Sequence, residues 1–353
     1  MLTMLLGAVG IPMALTALLM PAAGKLAHKL RVIDRPSARK LHTRPTPLMG
    51  GLAVYAAIVI YEASRGDIAP KMMALVAACG VAVVLGALDD RFDIHSRFRL
   101  ITHVCLAALL GVAGFRTGLL PKPLDVCVSI IWITGMINAM NCIDCADGVC
   151  GGISAVALIS YGIMLTYAGP DHLPLALISF ATAGAACGFL LYNFPPARIF
   201  MGDCGSTALG LLIGSISLRA TADSASAYVL YAALPATLPV CDILIVHIRR
   251  YMSGTRNIRD LLASTGKDHL PHRLIYLGLS PRQTLLAICL VSGLFAIVPI
   301  AVRIRPPLAL SAITLAVTCV AIEEILFYKK KSATERAIAD CIDEEQKIGA
   351  SAH

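Results

Sequence analysis

Residues 72–90 read MMALVAACGVAVVLGALDD. The stretch is apolar on every side through Leu88 and then ends on two adjacent carboxylates, Asp89 and Asp90. A surface helix of a soluble domain would carry a polar face along this length, whereas a segment apolar all round belongs in a protein core or in lipid. Similar apolar stretches recur at 2–23, 48–64, 100–120, 124–140, 150–168, 172–192, 206–219, 226–248, 283–302 and 307–328. The fold class they predict is an all-α polytopic membrane protein with about 11 transmembrane helices, or 10 if the short 206–219 stretch does not cross.

Composition agrees. Hydrophobic residues make up 57% of the 353 and charged residues 15%, against roughly 25% charged in a soluble domain; the mean hydropathy is +0.76. In a soluble chain the net charge of +8 would point toward nucleic acid. Here its distribution matters more. Assigning alternate loops to two sides puts 23 of the 30 lysines and arginines on one of them, and the positive-inside rule makes that side cytoplasmic. The N-terminus is then outside and the C-terminus cytoplasmic, and no nucleic-acid partner is implied. The first apolar stretch has no basic residue before it, unlike a secretory signal peptide, and reads as a retained helix. Residues 1–328 form a single integral-membrane domain and 329–353 a charged cytoplasmic tail. Most of the 12 cysteines lie in apolar stretches, where a thiol acts as a small hydrophobe. Cys142, Cys145 and Cys150 lack the fourth ligand that a structural zinc site needs.

Five polar clusters fall on the cytoplasmic side. Asp89-Asp90 is the first; by itself it could be a solvated helix end, but adjacent carboxylates near lipid are costly and call for a cation. The second is Asn138, Asn141, Asp144 and Asp147, spaced by three and followed by Gly148. Residues three apart share a helix face, so two amides and two carboxylates are expected to project together from a helix that is ending. The third runs from Asn193 through Phe200 to Asp203, broken by Pro195-Pro196. Asp203 reads either as a cap for the next helix or as a hard oxygen ligand for Mg²⁺, which takes one or two carboxylates plus substrate phosphates. The fourth is Asp268-His269-Leu270-Pro271-His272-Arg273, whose cationic groups could grip a phosphate. The fifth is the basic stretch around Lys40 and Arg44, entering a span on Gly50-Gly51. Arg249-Arg250, at the end of a span, are candidates for a lipid phosphate.

In this order the five clusters resemble the polyprenyl-phosphate N-acetylhexosamine-1-phosphate transferase family, a group that includes phospho-MurNAc-pentapeptide translocase. The resemblance runs from about Asp34 to Arg282 and is carried by Asn138-x-x-Asn141-x-x-Asp144-x-x-Asp147-Gly148 and Phe200-Met201-Gly202-Asp203-x-Gly205-Ser206. It implies transfer of GlcNAc-1-phosphate from a UDP-sugar to undecaprenyl (polyprenyl) phosphate, releasing UMP, at the cytoplasmic face of the inner membrane. It implies Mg²⁺, with Mn²⁺ as a substitute, and allows a homodimer. Carried over by motif, Asp89, Asp90 and Asp203 are catalytic, with Asp90 and Asp203 on the metal. Asn138, Asn141, Asp144, Asp147, Asn193 and Phe200 line the nucleotide pocket. His269, His272 and Arg273 hold the sugar or diphosphate, and Lys40 and Arg44 make phosphate contacts. Two positions depart from the family pattern: Pro271 stands inside the usual His-x-His-His, and Cys145 where a glycine is usual. A phospho-MurNAc-pentapeptide transferase of peptidoglycan synthesis and a multi-span transporter are the alternatives. Transporter charges tend to lie at the midplane on broken helices, and these lie at helix ends.

Overall fold

The computed structural model describes residues 1–36, 44–66, 68–222, 229–255, 257, 266, 268–304 and 306–351. Its elements are α1 (Leu2–Leu30), β1 (Ile33–Asp34), β2 (Thr46–Pro47), α2 (Gly50–Ser64), α3 (Pro70–Phe92), α4 (Ser96–Val112), α5 (Lys122–Ile143), α6 (Val149–Ala168), α7 (Leu173–Asn193), α8 (Asp203–Ala222), α9 (Val229–Ala233), α10 (Thr237–Met252), α11 (Leu270–Leu277), α12 (Pro281–Ile304) and α13 (Pro306–Ser351). Helix dominates because lipid offers no partner for a backbone N–H or C=O, and a helix satisfies both within itself.

Among the described residues, eight helices are long and apolar enough to cross a membrane. Among the described residues each of the apolar stretches overlaps a helix, but not every helix meets that standard. α2 has 15 residues and α4 has 17. In α8 the apolar run is interrupted by Ser206, Thr207, Ser215 and Ser217, all buried against other helices instead of lipid.

That burial identifies the centre. α8 packs on α5 and α3, α7 on α1 and α6, and α12 on α6 and α13. In the most apolar windows of α6 and α7, 72% and 78% of residues are buried, against 17% in both α1 and the apolar part of α13. So α6, α7 and α8 form the interior, and the first and last helices form the lipid-facing rim. α13 continues as one helix beyond its candidate span Leu308–Ser332 into the charged tail.

Close packing by small residues brings α2 and α3 onto the start of α8. A Cβ added to Gly51 would lie 2.1 Å from the Gly205 Cα, and one added to Gly86 would lie 2.4 Å from the Cys204 backbone nitrogen. Small side chains are what let membrane helices approach backbone to backbone. A short strip completes the junction. β1 pairs antiparallel with β2, and the chain after β2 zips onto residues 200–201. Phe200 N–H donates to the Pro47 carbonyl, Gly50 N–H to that of Phe200, and Gly51 N–H to that of Met201, each at 2.9 Å. This fixes the segment that leads into Asp203.

Candidate active site

The start of α8 needs a cap, because its first backbone N–H groups have no partner within the helix. Asp203 does not provide it. The cap comes from α3: Asp90 Oδ1 accepts from Asp203 N–H at 3.0 Å, and Asp90 Oδ2 from Cys204 N–H at 3.3 Å. A carboxylate there also meets the positive end of the helix dipole. Gly202 makes room for it. Its φ is +71°, and an added Cβ would lie 2.5 Å from Asp90 Oδ2.

Relieved of capping, the Asp203 side chain turns into a polar cluster. Its Oδ1 accepts from Asn141 Nδ2 at 2.8 Å, and its Oδ2 from Arg99 Nη1 at 3.0 Å. The same Arg99 nitrogen donates to Asp89 Oδ2, while Asp89 Oδ1 accepts from Ile94 N–H at 2.7 Å. Arg99, from α4, therefore bridges carboxylates at the end of α3 and the start of α8. Asn141 also reaches Ser206 Oγ at 3.1 Å.

The three-residue register of the second motif divides in the structure. α5 ends at Ile143, so Asn138 and Asn141 lie on helix while Asp144 and Asp147 lie on the turn that follows. Asn138 donates to its own helix, to the Thr134 carbonyl at 2.7 Å. Asp147 Oδ2 accepts from Ala197 N–H at 2.8 Å. Burial pushes the Asp144 carboxyl well above the usual carboxylate range, and the charges of Asp203, Asp90 and Asp147 push the same way. The first three sequence clusters thus share one electrostatic site.

Asn193 is a brace. Its Oδ1 accepts from Gly148 N–H at 2.7 Å and its Nδ2 donates to the Ile199 carbonyl at 2.8 Å, so its amide ties the start of α6 to the 193–203 segment. Phe200 is half-buried beside that segment. Arg282, at the start of α12, donates to the Pro195 carbonyl at 3.0 Å and holds the opposite side. Arg44 is exposed; Lys40 lies outside the described residues.

The histidine motif forms a second cluster between α10, α11 and α13. Asp242 on α10 accepts from Leu270 N–H at 2.7 Å and lies 2.8 Å from His269 Nδ1. Arg273 is 1% exposed and lies 3.7 Å from Asp242, 3.3 Å from Glu323, and in contact with Glu324. Arg249 also pairs with Glu324, and Arg250 makes a bidentate bridge to Asp268 with both distances 2.8 Å. Burial raises the Asp268 carboxyl, but the Arg250 bond and charge outweigh it and hold the group below its usual range. His272 sits half-buried on α11. The two clusters border one turn. The Cys145 thiol is pushed well above its usual range by burial, then by the charges of Asp242 on one side and Asp144 on the other.

Three participants escaped the motif reading. Arg99 had been counted only as a cytoplasmic loop charge. Asp242 and Glu324 lie within apolar helices, where an ionisable residue is itself a signal of function; that signal was available in the sequence.

A divalent cation fits this chemistry in one specific way. Among the described residues no three His, Cys, Asp or Glu side chains form a ready metal site. Yet the donors at Asp89, Asp90, Asp203 and Asp144 are all hard oxygens, and the cluster carries more carboxylate charge than Arg99 neutralises. This matches an ion bound through one or two carboxylates that fills its other positions from water and phosphate, as Mg²⁺ does.

Carboxylates, an amide and an arginine gathered at the helix ends of a membrane protein suit a charged ligand. The comparisons narrow this. Residues 72–221 match the model of glycosyl transferase family 4. The decaprenyl-phosphate N-acetylglucosaminephosphotransferase of Mycolicibacterium smegmatis is 32% identical over 311 residues, covering 77% of this chain and 75% of the relative. The undecaprenyl-phosphate alpha-N-acetylglucosaminyl 1-phosphate transferase of Yersinia pestis is 30% identical over 292 residues, 78% of each. Its namesake in Escherichia coli K12 is 29% identical over 297, covering 80% and 79%. The chain belongs to glycosyl transferase family 4, among the polyprenyl-phosphate sugar-1-phosphate transferases.

Proposed function

We propose that the protein transfers N-acetylglucosamine 1-phosphate from UDP-GlcNAc to undecaprenyl phosphate, releasing UMP, with Mg²⁺ as cofactor and the reaction at the cytoplasmic face of the cell membrane. The observation that carries this reading is the convergence of Asp90, Asn141, Asp144 and Arg99 on Asp203, with Asp89 joined through Arg99, in a chain whose relatives bear the names above. Eleven crossings, with the C-terminus inside, would put this cluster where a nucleotide sugar is available, and the polyprenyl chain would stay in lipid.

Transfer of this kind depends on alignment and charge neutralisation more than on covalent help from the protein. A lipid phosphate oxygen attacks the β-phosphorus of the donor. The bond from that phosphorus to the bridging oxygen breaks, and UMP leaves with the oxygen. A phosphate monoester loses its second proton near pH 6, so the attacking oxygen needs little help from a base. Asp89 and Asp203 are both tied to Arg99, which favours direct displacement over an aspartyl-phosphate. Bound at Asp203, with Asp90 beside it, Mg²⁺ would supply neutralising charge for the diphosphate. Arg99 guides phosphate oxygens past the carboxylates, and Asn141 fixes the Asp203 rotamer. Asp144 and Asp147 face the nucleoside, with Asn193 holding the wall.

Purified protein in detergent, given undecaprenyl phosphate and Mg²⁺, should release UMP from UDP-GlcNAc faster than from UDP-GalNAc or UDP-MurNAc-pentapeptide. Preference for the pentapeptide would move the protein to the peptidoglycan branch. Silence with every UDP-sugar would remove the transferase reading.

A further inference from the structure

The last membrane helix carries two adjacent carboxylates, Glu323 and Glu324, within its candidate span Leu308–Ser332. Both turn inward. Glu323 is 7% exposed, whereas the neighbouring Ile325 and Leu326 are 54% and 50% exposed. The same face continues with the half-buried Phe327 and, at its exposed edge, Lys330, at helical spacing from Glu323. The Phe327 ring lies 4.8 Å from the Arg249 guanidinium and 5.9 Å from that of Arg273, and it stacks edge-on with Tyr276. Lys330 lies 4.9 Å from the centre of the Tyr276 ring. α13 therefore grips α10 and α11 through a polar stripe that a purely lipid-facing helix has no use for.

Glu324 is the centre of that grip. Its Oε2 pairs with Arg249 of α10, and its Oε1 with Arg273 of α11. One carboxylate thus joins two guanidiniums that would otherwise repel. Arg273 extends the chain to Asp242, which holds His269 by Nδ1. This leaves His269 Nε2 and Arg273 Nε buried without a partner. Unmatched buried polar groups are costly unless something completes them. The arrangement fixes the direction of the histidine segment from a helix with no motif residue of its own.

We propose that Glu324 is a positioning residue of the transferase: by bridging Arg249 and Arg273 it holds the α10–α11 junction, and with it the His269 ring, in the geometry that the sugar diphosphate meets. The proposal rests on the transferase reading above, and its test keeps the two apart. Wild-type protein, Glu324→Gln, Glu324→Asp and Leu326→Ala are compared for kcat and KM with UDP-GlcNAc and for melting temperature in detergent.

Wild-type UMP release tests the reading; the variants test Glu324. Glu324→Gln should lower kcat/KM at least about tenfold; the Glu324 side chain is 27% exposed, so water screens the two guanidiniums it leaves and the melting temperature should fall far less than on loss of the buried Arg273. Glu324→Asp, which keeps the charge, should recover most of the loss, and Leu326→Ala should lose none. Adding Arg249→Gln to Glu324→Gln should cost less than the product of the separate losses, because the two residues share one interaction. Wild-type kcat/KM in Glu324→Gln overturns the proposal. So does a loss that follows a fall in melting temperature and is not recovered by Glu324→Asp.

Discussion

The two clusters that meet at the turn after α5 are built on opposite electrostatic terms. Around Asp203, carboxylates from α3, the 144–147 turn and α8 crowd together with one arginine among them. Around Arg273, cations and carboxylates alternate: Arg249–Glu324–Arg273–Asp242–His269. The first stores repulsion that a cation would relieve. The second alternates its charges around a buried arginine, and removing Arg273 leaves carboxylates uncompensated. Under the proposed function, the side chains of the first serve the reaction at a cost to stability. In the second, they hold the frame.

The contrast makes mutations in the two regions diverge, and the largest effect belongs to the carboxylates. Asp203→Asn should lower kcat on the order of 10³-fold while leaving the melting temperature equal or higher. Arg273→Ala should act the other way, with about 3–5 kcal/mol of stability lost through the stranded carboxylates of Glu323 and Asp242; chemical denaturation reads it. A smaller effect should follow pH. The Asp144 carboxyl is raised in the folded protein, so the unfolded chain ionises first. Stability of the EDTA-treated protein should then fall as pH rises above about 4, the ordinary carboxylate value, and continue falling until the folded carboxyl has ionised. Asp144→Asn should flatten that slope. Melting curves across pH that show no slope would mean that burial and neighbouring carboxylates do not raise the Asp144 carboxyl as described. The smallest effect separates two asparagines of one motif. Asn141→Ala should impair turnover, because Asn141 holds Asp203. Asn138→Ala, whose amide nitrogen serves its own helix, should change stability by no more than about 0.5 kcal/mol and leave UMP release nearly intact.

The first cluster was largely legible in the chain because its residues sit in short motifs at helix ends. Asp89-Asp90, the Asn141 to Asp147 run and Asp203 each stand out from apolar surroundings. Their division of labour was not legible. Whether Asp203 capped its own helix or faced a ligand turned on Asp90, 113 residues away in the chain. Arg99 looked like one basic loop residue among many, and its role emerges only when α4 packs beside α3. The second cluster was half visible: His269, His272 and Arg273 form a motif, but their partners Asp242 and Glu324 do not. An 8-residue helix, α11, takes its position from long-range pairs, and local pattern carries no trace of those. The limit on helix count has a similar origin. A central helix such as α8 can hold serines and threonines because it faces protein, and its composition then resembles a crossing less than a rim helix does.

The most direct test measures UMP release and melting temperature together on wild-type protein and Asp203→Asn, with undecaprenyl phosphate, UDP-GlcNAc, and either Mg²⁺ or EDTA. The account predicts release only from wild type with Mg²⁺ and lipid, and a variant that is inactive yet at least as stable. An Asp203→Asn protein that turns over at the wild-type rate, or wild-type release that is indifferent to EDTA, would contradict it.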